Sequence, residues 1–193
     1  NNIEPITAEQ TELTHKLGSA HCASCTIGCE KIFASTTKSG SIIKSRLEYE
    51  TAYALGPLIG INNPDTLIQS SNLCDQLGLD TISTGATIAW AMESYERGVF
   101  SLSDTDGLEL NFGNEEVVPN LIRMIAAQKG IGILLSQGSK RSSQKIGKAS
   151  ESWAMHVKGL EMPGYDPRKL KTMALGLAVS TRGACHNRSS AYE

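Results

Sequence analysis

Hydrophobic residues recur every three to four positions through much of the chain, which is the spacing of amphipathic α-helices. The pattern is clearest over Val117–Gln128, where apolar side chains at positions 118, 121, 122 and 125 share one helix face. It also runs from Leu67 to Leu77. The pattern therefore predicts a mainly α fold with a few short strands.

Helix start and stop signals set the boundaries of the central helices. Asn63-Pro64 suits a helix start, because Pro is favoured in the first helical turn, and Gly78 suits the end of that helix. Asp80 or Thr81 then caps a further helix that runs to about Tyr95. Two consecutive helices joined by a short polar link are therefore expected.

Weaker signals predict the remaining elements. Helices are expected over 1–18, about 49–58, 131–135, 142–146 and 168–181, short strands within 104–113 and 157–162, and a flexible loop over 35–41. The turn-rich stretch near 105–111 divides the chain into a helical domain over residues 1–105 and a second helical domain over residues 106–193.

Composition narrows the function classes. The chain has 193 residues with 18 Lys and Arg against 20 Asp and Glu, a net charge of -2, which argues against a nucleic-acid-binding surface. No apolar run reaches the roughly 20 residues of a membrane span, and no secretory signal is visible. We therefore expect a cytoplasmic protein. The sequence begins without Met and ends in a polar run, so we expect a piece of a longer protein.

Three of the five cysteines stand within eight residues, as Cys22-x2-Cys25-x3-Cys29. On a helix or helical loop these positions point to one side, so the three thiolates can converge. Three close thiolates plus one distant Cys are typical of a [4Fe–4S] cluster, whereas zinc sites more often use two separated pairs. Cys74 and Cys185 are candidates for the fourth ligand only if the fold brings one close. Reduced and inert thiols are the alternative.

The segment Asp75-Gln-Leu-Gly78-Leu79-Asp80 places two carboxylates at the junction of the predicted helices. A carboxylate accepts two parallel hydrogen bonds from a flat N–H edge, such as the edge of a pterin. Gly78 would let a planar ligand approach the backbone. The alternative is purely structural, with Gly78 ending one helix and Asp80 capping the next.

An acid and a histidine complete the candidate chemistry. Glu48 and Glu50 are two residues apart and cannot share a helix face, so one carboxyl group can point inward while the other is solvated. A carboxyl group shielded from water can donate or accept a proton near neutral pH. His186, between Cys185 and Arg188, suits a polar pocket at a helix end, and a neutral imidazole can both donate and accept. Two exposed carboxylates and a histidine that merely closes a helix are the alternatives.

Together these motifs resemble the tungsten-containing aldehyde:ferredoxin oxidoreductases, in residue type, order and approximate spacing. The matching segments are Cys22-x2-Cys25-x3-Cys29, Glu48-Tyr49-Glu50-Thr51, Cys74-Asp75-Gln-Leu-Gly78-Leu79-Asp80-Thr-Ile-Ser83-Thr-Gly85, Gly159-Leu-Glu-Met-Pro163-Gly164-Tyr165-Asp-Pro167 and Arg182-Gly-Ala-Cys185-His186. The resemblance runs from about Ser19 to the end of the chain. It implies the helical domains 2 and 3 of that family.

The resemblance implies an aldehyde oxidised with water to a carboxylic acid, and electrons passed through a [4Fe–4S] cluster to ferredoxin or a ferredoxin-like subunit. Cys22, Cys25 and Cys29 would be three of the four cluster ligands. The fourth would come from a second Asp-x-x-Gly-Leu-Cys segment, which this sequence lacks. The family's N-terminal β-rich domain is also absent from the sequence.

The resemblance also assigns the pocket. Glu50 would be the proton-handling acid, and His186 would hydrogen-bond the aldehyde oxygen or an oxygen at the metal. The residues implied to hold the bis-pyranopterin (molybdopterin) tungsten cofactor are Asp75, Leu79, Asp80 and Arg188. The pterin dithiolenes would bind the tungsten, so no protein ligand to tungsten is expected. Mg²⁺ bridging the pterin phosphates and a homo-oligomer are further suggestions of the resemblance.

Three other functions fit the same motifs. One is a related tungsten enzyme that reduces carboxylic acids or acyl thioesters. A second is a simple Fe–S electron-transfer or zinc module, although such a carrier has no need of Glu50, Asp75, Asp80 and His186. A third is an inactive fragment of the longer enzyme. The sequence distinguishes neither the aldehyde nor tungsten from molybdenum.

Overall fold

The computed structural model describes residues 2–188, and α-helices are the main elements of this part of the chain. The α-helices are α1 Ala8–His15, α2 Tyr49–Leu55, α3 Pro64–Leu77, α4 Thr81–Glu96, α5 Val117–Ala127, α6 Gly132–Leu135, α7 Gly138–Ile146 and α8 Lys171–Val179. The strands are β1 Lys16–Ala20, β2 Glu30–Thr36, β3 Ile42–Leu47, β4 His156–Val157 and β5 Leu160–Glu161. The predicted mainly α fold class with a few short strands is confirmed.

The predicted boundaries of α3 and α4 are confirmed because local signals decide them. The side chain of Asn63 accepts a hydrogen bond from the backbone N–H of Asp65 at the start of α3. Gly78 ends α3 in the left-handed conformation, with φ of 69°. The Asp80 carboxylate then accepts from the N–H of Ser83 at 2.7 Å and caps α4.

Replacing Asp80 with Ala should lower the free energy of unfolding by about 0.5–2 kcal/mol, because the cap of α4 is lost. Asp75→Ala is the matched control, since Asp75 is also exposed in this segment and its carboxylate makes no hydrogen bond within residues 2–188. It should change the stability by less than about 0.5 kcal/mol. Urea unfolding of the 193-residue chain measures both variants, and equal losses would contradict the capping role.

The three-stranded antiparallel sheet β1-β2-β3 is the main element that the sequence prediction missed. The helix predicted over 1–18 ends at His15 and continues as β1, and the loop predicted over 35–41 is only the turn between β2 and β3. The loop prediction is therefore right over 37–41 and wrong only at residues 35 and 36, and the helix prediction is right only over 8–15. The sheet itself was missed because its strands lack a clear hydrophobic pattern. Buried positions of the sheet hold serines, which satisfy their hydroxyls by hydrogen bonds to α3 instead of forming a hydrophobic stripe: Ser35 to Asp65 and Ser45 to Ser71.

The C-terminal predictions were partly right. The stretch 104–113 forms turns without a strand, and residues 157–162 lie in the two-stranded hairpin of β4 and β5. The last helix, expected from residue 168, begins at Lys171. Short elements such as these are decided by tertiary packing, which the sequence pattern does not encode.

The larger hydrophobic core contains residues from Phe33 to Ala154 and is built mainly by α3, α4 and α5. A smaller cluster of Met173, Leu177 and Ala184 joins α8 to the hairpin. The division of the chain at residue 105 stays a prediction. Within residues 2–188 there is no helix with the length and hydropathy that a membrane crossing requires.

Candidate active site

Glu50 and His186 lie side by side, although 136 positions separate them in the sequence. Glu50 belongs to the first turn of α2 and is 7% exposed. His186 begins a single 3-10 turn after α8, and its Nε2 lies 3.9 Å from Oε1 of Glu50. Glu48 is exposed, so of the two carboxylates Glu50 is the one that points inward. The structure thus brings the predicted acid and the predicted histidine into one partly enclosed site.

The two oxygens of the Glu50 carboxylate have different surroundings. Oε2 accepts a hydrogen bond from the backbone N–H of Gly164 at 2.8 Å. Oε1 is buried and has no hydrogen-bond partner among the described residues. Its 3.9 Å separation from the imidazole is too long for a hydrogen bond, so both groups are available to a third polar atom.

Aromatic rings enclose one side of the pair. The Tyr165 ring lies 5.7 Å from the His186 ring and 5.5 Å from the Tyr49 ring, measured between centroids. Partial burial raises the pKa of Tyr49, and the charge of Glu50 raises it further. Tyr49 therefore stays a protonated hydrogen-bond donor at neutral pH. The Tyr165 ring therefore lines one side of the pair, while Tyr49 remains exposed to solvent.

No individual role for Gly164, Tyr49 or Tyr165 was predicted from the sequence. The sequence did indicate a turn here, since Pro163-Gly164-Tyr165-Asp166-Pro167 is rich in turn residues and belongs to a segment that resembles the family. What the sequence did not show is that this turn folds back onto α2. Only the tertiary structure joins residues 114 positions apart.

Close packing between α2 and α4 fixes the position of Glu50. A Cβ atom on the buried Gly85 of α4 would lie 2.3 Å from the carbonyl oxygen of Ala54 in α2. Real Cβ atoms do not approach a carbonyl so closely, so the two helices can pack at this distance only around a glycine. Thr51 and Thr81 add a hydrogen bond of 2.9 Å between the same helices.

The segment implied to hold the pterin forms the link between α3 and α4. Asp75 and Asp80 are exposed and Leu79 is half-buried. Burial of part of the carboxyl group raises the pKa of Asp75, while the nearby Arg46 guanidinium opposes that rise. Asp75 and Arg46 also line a cavity of about 250 Å³. The predicted structural role of Asp80 and Gly78 is confirmed, and their role in binding a cofactor stays a prediction.

The three clustered cysteines lie on the irregular loop between β1 and β2, and not on a helix. Cys22 and Cys29 are exposed and Cys25 is half-buried, and a backbone hydrogen bond of 3.0 Å links Cys25 to Cys22. Within residues 2–188 there is no group of three His, Cys, Asp or Glu side chains arranged to hold a metal ion. The loop therefore offers three accessible thiols but does not gather them into one ligand set.

The other two cysteines are buried. Burial, together with the charges of Asp75 and Asp80, raises the pKa of the Cys74 thiol to about 12. A thiol that resists ionisation to this degree is a poor metal ligand, because metals bind the thiolate. Cys185 lies next to His186, and its sulfur accepts a hydrogen bond from Arg182 at 3.5 Å. Arg188, the basic residue implied near the cofactor, is exposed.

Glu48 should make the stability of the chain depend on pH. Although the residue is exposed overall, partial burial of its carboxyl group, followed by the neighbouring Glu30, raises the folded-state pKa of Glu48 above its ordinary value of 4.5. The native state then binds more protons than the unfolded state, so stability should fall as the pH rises from about 4.5 through that raised pKa. In Glu48→Gln this fall should be shallower. Urea unfolding at a series of pH values measures it, and an unchanged slope would contradict the assignment.

A larger cavity, of about 400 Å³, lies away from these residues. Its lining includes Asp106, Ile131 and Lys145, and no predicted site residue. Size alone therefore does not identify the site, which is defined instead by the buried carboxylate and the imidazole.

Comparison with known proteins shows the family of this chain. The family model described as aldehyde ferredoxin oxidoreductase, domains 2 and 3, matches residues 1–193. The chain belongs to the aldehyde ferredoxin oxidoreductase family. This is a family of oxidoreductase enzymes, and the resemblance inferred from the motifs is confirmed.

Curated relatives share the family name. The tungsten-containing aldehyde ferredoxin oxidoreductase of Pyrococcus furiosus is 41% identical over 86% of this chain and 27% of its own length. The Thermococcus kodakarensis enzyme of the same name is 40% identical over the same shares. The chain therefore spans about a quarter of the length of these relatives.

Two further matches have lower identity. The aliphatic sulfonate oxidoreductase WOR-like subunit of Pyrococcus furiosus is 33% identical over 86% of this chain and 28% of its own length. The active-site complex BamBC of benzoyl coenzyme A reductase matches in structure with a TM-score of 0.68, over 89% of this chain and 26% of that chain. At 23% identity the second match shows a shared fold.

Proposed function

We propose that this chain is the central, active-site portion of a cytoplasmic tungstopterin enzyme that oxidises an aldehyde to a carboxylic acid. The overall reaction takes one aldehyde and one water and releases the acid, two protons and two electrons. The electrons would leave through a [4Fe–4S] cluster to ferredoxin or a ferredoxin-like subunit. Family membership supports this proposal, as does the identity of about 40% with enzymes named for that activity.

One observation carries the proposal, namely that a buried oxygen of Glu50, without a hydrogen-bond partner among residues 2–188, faces an imidazole at 3.9 Å. A buried carboxylate oxygen left without a partner costs free energy, so this position calls for a water, an ion or a ligand atom as its partner. The overall reaction releases two protons, and Glu50 is placed to accept one of them. His186 is placed to hydrogen-bond an oxygen of the substrate.

The side chains implied to hold the cofactor carry the polar atoms that a tungstopterin needs. Asp75, in the last turn of α3, and Asp80, just before α4, both present exposed carboxylates. One oxygen of Asp80 caps α4, and its other oxygen is available to a ligand. Such oxygens accept hydrogen bonds from a flat N–H edge. Asp75, Leu79 and Asp80 would hold one pterin, with Arg188 as a nearby cation. When bound, the tungsten centre would supply the two-electron redox chemistry that no side chain of this chain provides.

The cysteine loop supplies the thiols that an iron–sulfur cluster needs, but in this structure the three sulfurs do not converge on one point. Cys22, Cys25 and Cys29 are free thiols on one accessible loop, and they would be three of the cluster ligands. Among the described residues the three sulfurs do not form a ligand set. A fourth ligand would come from outside this chain, as Cys74 and Cys185 are buried.

The chain's own residues would then orient the substrate and move the proton. The Nε2 of His186 would hydrogen-bond the aldehyde oxygen and fix its orientation. Oε1 of Glu50 would take the proton released as the new C–O bond forms, while Oε2 remains bonded to Gly164. The ring of Tyr165 would line one side of this pair.

A related tungsten enzyme that reduces carboxylic acids or acyl thioesters is the second candidate. A benzoyl coenzyme A reductase complex shares the fold, so this fold is compatible with the second candidate as well as with the first. The same proton-handling pair would serve reduction, with Glu50 donating the proton. The direction of the reaction and the substrate therefore need a direct assay.

The test is made on the complete enzyme that carries this chain, purified without oxygen. We expect tungsten and about four iron atoms per protomer, and aldehyde-dependent reduction of ferredoxin in a panel of short aliphatic and aromatic aldehydes. Cys25→Ser should lose iron, whereas Cys185→Ser, a matched buried thiol, should keep it. Activity only with acyl thioesters and a reductant would favour the second candidate, and full iron content in Cys25→Ser would contradict the cluster assignment.

A further inference from the structure

We propose that Tyr49 and Gly164 form a clamp that orients the Glu50 carboxylate, and that Tyr49 is a positioning residue for proton handling at this site. The clamp consists of the Tyr49 hydroxyl and the main chain of Gly164. This inference rests on the proposed function for its catalytic consequence, whereas the clamp itself is a feature of the fold.

Two consecutive residues of α2 hold both polar main-chain atoms of Gly164. The Tyr49 hydroxyl donates to the carbonyl oxygen of Gly164 at 2.7 Å. The N–H of Gly164 donates to Oε2 of Glu50 at 2.8 Å. The N–H of Tyr165 donates to the carbonyl of Pro163 at 2.8 Å, so Gly164 is the central residue of a tight three-residue turn.

Packing makes glycine a requirement at this position. A Cβ atom on Gly164 would lie 2.8 Å from the Tyr53 ring and 3.2 Å from the Tyr49 ring. Only a residue without a side chain therefore lets the turn lie close enough to the first turn of α2 for both hydrogen bonds. The arrangement determines which carboxylate oxygen is bonded and which one remains free.

The consequence for Glu50 is a fixed orientation. With Oε2 bonded to the peptide, the carboxylate cannot exchange its two oxygens by rotation, and Oε1 stays directed toward His186. Without the Tyr49 hydroxyl, the turn keeps its aromatic contacts and the hydrogen bond from Gly164 to Glu50, but it loses the second hydrogen bond that holds it against α2. The carboxylate can then rotate, so that fewer molecules present a free oxygen to the reacting atom at any time.

Amide hydrogen exchange of Gly164 tests the clamp directly in the 193-residue chain by NMR. Tyr49→Phe removes only the hydroxyl, and exchange of the Gly164 N–H should become about tenfold faster or more. Tyr53→Phe is the matched control, because Tyr53 also packs on Gly164 and no hydrogen bond from its hydroxyl is seen within residues 2–188. Wild-type exchange in Tyr49→Phe, or equal acceleration in Tyr53→Phe, would overturn the clamp.

Kinetics of the complete enzyme test the consequence. In Tyr49→Phe, kcat should fall about tenfold or more while KM changes by less than about twofold, since orientation and not binding is lost. Tyr53→Phe should keep both constants. An unchanged kcat in Tyr49→Phe, with an active wild type, would overturn the positioning role. An inactive wild type would refute the proposed function instead, and the exchange experiment would still decide the clamp.

Discussion

Replacing Glu50 with Gln is expected to lower aldehyde turnover by about 10²–10⁴-fold in the complete, metallated enzyme, the range for removal of a general acid–base group. Gln keeps the size of the side chain and can still accept the hydrogen bond from Gly164, but it cannot take up a proton. The loss should therefore appear in kcat, while the metal content stays that of the wild type.

Glu48→Gln is the matched control for this prediction. It removes a carboxyl group two residues away that is exposed and does not contact Gly164 in the described structure. Turnover of Glu48→Gln should remain within about threefold of the wild type, because Glu48 has no part in the proposed proton transfer. Equal losses in the two variants, or full turnover in Glu50→Gln, would remove Glu50 from the proton-handling role.

Gly85→Ala should destabilise the chain by about 1–3 kcal/mol or more, because the added methyl group would collide with the main chain of α2. The nearest atom is the Ala54 carbonyl oxygen, 2.3 Å from the new Cβ position, and a backbone atom cannot move aside as a flexible side chain can. The helices must separate, and this would also displace Glu50. Urea unfolding of the 193-residue chain gives the loss.

Gly18→Ala controls for the general effect of adding a methyl group to a glycine. Gly18 lies in β1, and a Cβ atom there would meet nothing within 4 Å. Its stability should equal or slightly exceed that of the wild type, since alanine restricts the unfolded chain. If Gly85→Ala were as stable as Gly18→Ala, the close approach of α2 and α4 would be wrong.

The helices were predictable where local chemistry determines them. Asn63, Gly78 and Asp80 act through neighbours two to four residues away, so their roles could be inferred from the sequence and the structure confirms them. The apolar face of α5 is equally local, because its buried side chains follow the helical repeat. Helices of this kind can be predicted from the residues within them and beside them.

The sheet was not predictable for the opposite reason. The buried positions of β2 and β3 include Ser35 and Ser45, whose hydroxyls are satisfied by Asp65 and Ser71 on α3. A strand that buries serines shows no alternation of apolar and polar residues. Its stability depends on partners about 30 residues further along the chain, which no local pattern reveals.

The candidate site also has a part that the sequence predicts and a part that depends on the tertiary structure. The chemistry of Glu50 and His186 could be proposed from residue type and from the family motifs, but their separation of 3.9 Å is a property of the fold. The bond between Gly164 and Glu50 was missed, because it joins a turn and a helix across 114 positions. The cysteines were expected on a helix or a helical loop, and they lie on an irregular loop between β1 and β2 and not on a helix, while their role as cluster ligands stays a prediction.

The most direct test of the central claim, that Glu50 and His186 act as one unit, is a double-mutant cycle in kcat. Glu50→Gln, His186→Asn and the double variant are compared with the wild type in the complete enzyme at equal metal content. Groups that serve one step together lose most of their effect at the first substitution, so the double variant should be little slower than the slower single variant. A double variant whose loss equals the product of the two single losses would show that the residues act independently, and would contradict the account.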